Sequence, residues 1–199
     1  MGKLFDLEAS GYFYSRLQNP TNDFVAEKIC AMEGGIAAML TSSGQAANFY
    51  AIFNICEAGD HFITSSSIYG GTYNLFNVTM RKMGIECTFV DQNLPEEELA
   101  KYFQPNTKAV FGETITNPTV TVFDFEKFAR LAHNHGVPLI VDNTFATPIN
   151  CRPFEWGAFR KRLMSILSTV IISTRRTLPL SQRRQRQSQI GRASCRERV

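Results

Sequence analysis

The sequence predicts an α/β fold built on a parallel sheet, and three observations carry that expectation. Short apolar runs recur along the chain, each ending in small or polar residues. Between them lie helical stretches opened by capping residues and closed by glycines at 34, 59, 84 and 136. The two types alternate from about residue 24 to residue 142, the pattern of right-handed βαβ units. The plainest run is Leu139-Ile140-Val141-Asp142-Asn143-Thr144, set up by Pro138. An apolar run of that length reads as a strand buried on both faces of a parallel sheet.

Residues 1–20 read as loop, with Gly11 and Asn19-Pro20 as breakers. Thr21 or Asn22 then caps a helix carrying Phe24, Val25, Ile29 and Met32, stopped by Gly34-Gly35. A short strand over residues 36–40 leads through Ser42-Ser43-Gly44-Gln45 into a helix over residues 46–55. Residues 61–64 form the next strand, and Ser65 to Thr72 turns into a helix that runs to Lys82. Residues 85–90 are strand-like, with β-branched and aromatic side chains. Pro95 followed by Glu96, Glu97 and Glu98 suits a helix start, because acidic side chains complement the positive end of the helix dipole. Residues 109–111 are a buried strand ending at Gly112-Glu113-Thr114, and an amphipathic helix follows over residues 124–134. His133 and His135 stand two apart and so face different sides, which suits the negative end of a helix better than a metal ion.

The functional candidates lie at strand ends, where open α/β sheets form their ligand crevice. Asp142 ends the central apolar run. Its carboxylate needs a cation or hydrogen-bond donors to stay ionised, and a protonated pyridine nitrogen is one such partner; an Asx turn is the plainer use. Gly44 and Gln45 open a helix whose free N–H groups suit a phosphate, with Gly44 allowing close backbone approach. Tyr69, between three serines and two glycines, offers a flat ring for stacking or for packing. Asn117, before Pro118, can bond a ring hydroxyl or close a turn. Tyr14 and Arg16 present a phenol and a guanidinium together, a clamp for phosphate.

Composition narrows the class. The chain has 199 residues, 44% hydrophobic with 16 Phe, enough for one sizeable core. No apolar run approaches membrane-spanning length, and the five scattered cysteines show no CxxC pairing. A reducing, cytoplasmic setting is the expectation. The net charge of +3 hides a break: residues 1–158 carry 10 Lys+Arg and 17 Asp+Glu, residues 159–199 carry 11 and 1.

Five segments occur in the order of one family: Tyr14-Ser15-Arg16-Leu17-Gln18-Asn19-Pro20-Thr21, Ser43-Gly44-Gln45-Ala46-Ala47, Ser65 to Phe76, Gly112-Glu113-Thr114 and Val141 to Pro148. Together they resemble the pyridoxal-phosphate enzymes of Cys/Met metabolism, over about residues 9–158. Within that family the Gly-Gln pair and Tyr69-Gly70-Gly71-Thr72-Tyr73-Asn74-Leu75-Phe76 are most similar to the O-acetylhomoserine sulfhydrylases. The resemblance implies the large domain of a fold-type I pyridoxal-phosphate-dependent transferase, here incomplete, and pyridoxal 5'-phosphate as cofactor. It implies that Asp142 holds the pyridine nitrogen protonated, that Tyr69 stacks on the ring and meets substrate, and that Asn117 bonds the ring hydroxyl. Gly44 and Gln45 would supply phosphate-binding N–H groups. Tyr14 and Arg16 would reach a neighbouring subunit's site, making the family homo-oligomeric. The implied reaction takes O-acetyl-L-homoserine with sulfide or a thiol to homocysteine or methionine plus acetate. Lyase-like or cystathionine-synthase-like members of the same family are the alternatives.

The resemblance stops at Gly157-Ala158. The family's Schiff-base lysine is expected shortly beyond, in a Ser/Thr-Lys motif, yet from residue 159 to residue 175 only Lys161 occurs, between Arg160 and Arg162. The chain as written is therefore expected to be inactive, and to begin later than the family does. Residues 190–199 resemble translated adapter sequence, so residues 159–199 are expected to be a frameshifted or chimeric tail. A non-catalytic fragment whose Arg-rich tail binds nucleic acid is the less favoured reading. On the first reading the strand ending at Asp142 loses its neighbour, and the apolar stretch from Leu163 to Ile172 has no place to pack.

Overall fold

In a computed structural model the described residues are 2–6, 8, 11–16, 18–157, 163–167 and 170–173. Lys161 with its flanking arginines, and the basic segment from residue 174 onward, lie outside them. The elements run α1 (Gly2–Phe5), α2 (Pro20–Glu33), β1 (Ala37–Leu40), α3 (Gly44–Phe53), β2 (His61–Ser65), α4 (Gly70–Asn74), a π-helical continuation (Leu75–Met80), β3 (Glu86–Val90), α5 (Glu96–Ala100), β4 (Thr107–Glu113), α6 (Phe125–Asn134), β5 (Leu139–Asp142), α7 (Thr147–Asn150), α8 (Pro153–Gly157), β6 (Leu163–Leu167) and β7 (Val170–Ser173).

The strands form one seven-stranded sheet in the order β1-β7-β6-β5-β4-β2-β3. Strands β2 to β6 pair in parallel, while β7 runs antiparallel to both β6 and β1. Alternation along the strands divides the core between the two faces. Val110, Leu139 and Val141 join Phe123, Phe128 and Leu131 on one side. Phe62, Phe111, Ile140 and Ile166 join Ala47, Ile52 and Phe76 on the other. Burial on both faces explains why these strands read as unbroken apolar runs.

Several expectations need correction. The N-terminal stretch is not all loop, since α1 forms a helical turn there. Asn19, not Thr21 or Asn22, caps α2: its side chain accepts from the Thr21 and Asn22 N–H groups, and Pro20 takes the first helical position, where a missing N–H costs nothing. The helix after Tyr69 changes to π geometry at Leu75. Most important, β5 has no free edge. Leu139 to Asp142 pair with Leu163 to Ile166, and Val170 to Ser173 return to pair with β1. The apolar stretch expected to lack a place fills the gap between β5 and β1, and Ile166 is fully buried in the core.

One buried polar group gives a test of the fold. His61, at the start of β2, is hydrogen-bonded at both ring nitrogens, to Thr107 and Thr88 Oγ1, each at 2.8 Å. Burial lowers its pKa below the ordinary 6.5, against a smaller opposing pull from Glu86. The unfolded chain therefore takes up a proton first as the pH falls, and the stability that His61 contributes is full above about pH 6.5 and lost below it. In urea unfolding, the stability gap between wild type and His61→Gln should narrow as the pH drops from 7.5 to 5.5. A gap that stays constant would contradict this.

Candidate functional site

The carboxyl ends of β4 and β5 and the start of α3 enclose a cavity of about 350 Å³. Its wall includes Gly44, Gln45, Tyr69, Asn117 and Asp142, so five of the seven residues singled out from the sequence meet at one place. Each arrives for a local reason. Ser43 has extended backbone and caps α3, its hydroxyl accepting from the Ala46 N–H at 3.1 Å, and Ser43, Gly44 and Gln45 at this helix start all line the cavity. Gln45 Nε2 donates to Thr72 Oγ1 at 3.1 Å, tying α3 to α4. Tyr69 precedes α4 and is 48% exposed, its ring folded over Gly71, where a Cβ would lie 2.5 Å from ring atom Cε1. The glycine leaves the ring its place.

Asp142 takes the plainer of the two uses foreseen for it, and it also lines the cavity. Its Oδ1 closes an Asx turn, accepting from the N–H and the hydroxyl of Thr144. Its Oδ2 accepts from Asn48 Nδ2 at 3.4 Å. Burial raises the Asp142 pKa, and the Thr144 and Asn48 hydrogen bonds only partly offset it. A carboxylate so placed gains from a cation brought to it. Among the described residues that line the cavity there is no Lys or Arg to supply one.

Tyr14 and Arg16 do not line this cavity. The Arg16 guanidinium lies 5.2 Å from the centre of the Tyr14 ring, and Tyr14 is half exposed.

Four residues that sequence reasoning passed over complete the site. Asn48, one turn into α3 and buried, also donates to Thr72 Oγ1, while its own Oδ1 has no hydrogen-bond partner among the described residues. Thr72 accepts from both α3 amides. Asn143 is fully buried behind Asp142: it accepts from the Thr114 hydroxyl at 2.7 Å and donates to Glu33 Oε1 and the Cys151 carbonyl, each at 2.9 Å. Glu113 ends β4 in register with Asp142 and lines the cavity. The only local sign of it was a carboxylate closing an apolar run, the same sign that marks Asp142.

These groups fit pyridoxal 5'-phosphate on chemical grounds. A helix start offers N–H groups to an anion, a buried carboxylate only partly offset by hydrogen bonds suits a cation, an aromatic ring flanks the space, and a buried amide oxygen lacks a donor among the described residues. Similarity to known proteins agrees. A homocysteine/cysteine synthase of Saccharomyces cerevisiae is 50% identical over 157 residues, which is 78% of this chain and 35% of that protein. An O-acetyl-L-homoserine sulfhydrylase of Corynebacterium glutamicum is 48% identical over 154 residues, 77% of this chain and 35% of that protein. The chain thus spans about a third of the length of the curated relatives it matches. Among solved structures, a Campylobacter jejuni protein described as an O-acetylhomoserine (thiol)-lyase superposes with a TM-score of 0.79 at 34% identity, covering 88% of this chain and 45% of that one. That crystal structure contains an N'-pyridoxyl-lysine-5'-monophosphate. The family pattern matches residues 1–159, and from Ser43 to Phe145 the cavity is built within that span: the chain belongs to the Cys/Met metabolism PLP-dependent enzymes.

Proposed function

We propose that the cavity binds pyridoxal 5'-phosphate, and that the longer protein to which residues 1–158 correspond converts O-acetyl-L-homoserine with sulfide or a thiol to homocysteine or methionine plus acetate. The observation that carries this is the meeting of Asp142, the α3 N-terminus and Tyr69 around one space. The activities for which the relatives from Saccharomyces cerevisiae and Corynebacterium glutamicum are named support the choice of reaction. When bound, the pyridine ring supplies an electron sink for carbanion chemistry at an amino-acid substrate.

The chain's own residues would prepare that chemistry. Asp142, held by Thr144 and Asn48, would keep a proton on the ring nitrogen. The N–H groups at Gly44 and Gln45 would take the phosphate, Tyr69 would cover one face of the ring, and Asn117 would meet the ring hydroxyl. Tyr14 and Arg16, which stand outside this cavity, would serve the phosphate of a second copy's site, so a homo-oligomer is part of the proposal. Among the described residues no lysine lines the cavity, and on this reading the 199-residue chain would bind the cofactor without a covalent link and would not turn over substrate. Residues 159–199 are read as lying outside the family, which the end of the family match at residue 159 supports.

Calorimetric titration with pyridoxal 5'-phosphate tests the reading. Wild type should bind, and Asp142→Ala should bind about thirtyfold more weakly, the scale of about 2 kcal/mol for removing one partner of a buried charge pair. No binding by wild type, or equal binding by the variant, would refute it.

A further inference from the structure

Glu113 stands at the cavity with its carboxylate held by backbone rather than by a cation. It is 5% exposed, and it ends β4 beside Asp142 on β5. Its Oε1 accepts from the Tyr69 N–H at 2.8 Å, and its Oε2 accepts from the Asn117 N–H at 3.3 Å. The two donors belong to separate loops, one following β2 and the other following β4. One side chain thus ties together the loops that bring Tyr69 and Asn117 to the cavity.

We propose that Glu113 is a positioning residue for the bound pyridine ring, its ionised carboxylate fixing the Tyr69 and Asn117 loops across the cavity by accepting one backbone N–H from each. This rests on the reading of the cavity as a pyridoxal-phosphate site. The chemistry requires a carboxylate. Two N–H donors need two acceptor oxygens, and a glutamine or a protonated glutamic acid offers only one good acceptor and directs a donor at the other N–H. A hydrogen bond to a charged group is also the stronger kind, and a buried N–H left without an acceptor costs more than the bond contributed.

The electrostatics make the device sensitive near neutrality. Burial pushes the Glu113 carboxyl up, the Tyr69 N–H pulls it down, the Asp142 charge adds to the rise, and the Asn117 N–H opposes it, leaving it at about 7. The charged side chain that acts on it is Asp142 on β5, Tyr69 is the other titratable residue of the cavity wall, and among the described residues that wall holds no lysine or arginine. Below about pH 7 the carboxylate gains a proton and one loop loses its tie; above it both ties are made.

Two measurements test this on the full chain. The first is pyridoxal 5'-phosphate affinity of wild type and Glu113→Gln at pH 8 and pH 6. At pH 8 the variant should bind about tenfold more weakly, the size of one charge-assisted hydrogen bond, and at pH 6 the two affinities should converge. The second is the pH titration of the Tyr69 and Asn117 amide protons in ligand-free wild type by NMR, which should move together with a midpoint near 7. This second measurement needs no variant to fold. Wild type failing to bind pyridoxal 5'-phosphate overturns the reading of the cavity itself. Binding that Glu113→Gln leaves unchanged in strength and pH profile, or amides that do not move between pH 6 and 8, overturns the role of Glu113 alone.

Discussion

A chain truncated after Gly157 is expected to aggregate and to show no cooperative melting transition, whereas the full 199-residue chain should unfold in one step. The truncation removes β6 and β7 from the middle of the sheet. Strand β5 would then present the backbone groups of Leu139 to Asp142 with no partner, and β1 would lose the only strand that pairs with it among the described residues. The apolar core loses Ile166, fully buried among Phe62, Phe111 and Ile140. An open apolar strand edge is a template for pairing between molecules. Native stability is a margin of about 5–15 kcal/mol, and the loss of two internal strands exceeds it. Size-exclusion chromatography and thermal unfolding of both chains decide the matter. A monodisperse truncated chain melting at the temperature of the full one would show that β6 and β7 add nothing to the sheet.

The position of β6 and β7 was the part of the fold least legible beforehand, for a physical reason. A β-prone run such as Leu163 to Ile172 announces that it will pair, but pairing partners are set by distant segments, here β5 and β1. The central strands were legible because burial on both faces leaves a local mark, an unbroken apolar run. The shift to π geometry after Asn74 was not, since six residues are too few for a period to distinguish it from an α-helix. The site divides the same way. Asp142 could be read because a carboxylate closing such a run must meet something. Glu113 carries the same mark, yet what it meets are two backbone N–H groups 44 and 4 residues away, and no local pattern records their arrival. Asn48 was hidden differently: its relevance depends on which face of α3 turns toward β5.

Replacing Gly112 with alanine should cost about 3 kcal/mol of stability and weaken the site next to it. Gly112 lies in β4 between Phe111 and Glu113, opposite Val141 of β5. A Cβ there would lie 2.5 Å from ring atom Cζ of Phe123, far inside contact distance. The ring has little room to retreat. Phe123 is 2% exposed, stacked on Phe128 at 4.5 Å between centres and edge-on to Phe125 at 5.7 Å. Either the aromatic cluster or β4 must shift, and a shift of β4 carries Glu113 away from the Tyr69 and Asn117 N–H groups. For a chain of this size 3 kcal/mol corresponds to a melting temperature lower by roughly 6–12 °C. Pyridoxal 5'-phosphate affinity should fall in the same variant, although Gly112 does not line the cavity. Shortening the obstructing ring makes the cause testable: Gly112→Ala combined with Phe123→Leu should melt higher than Gly112→Ala alone, even though Phe123→Leu by itself destabilises. Strain between these two residues is the only term that makes the second substitution helpful. If the double variant melts lower than the single one, the clash between them is not what limits this strand.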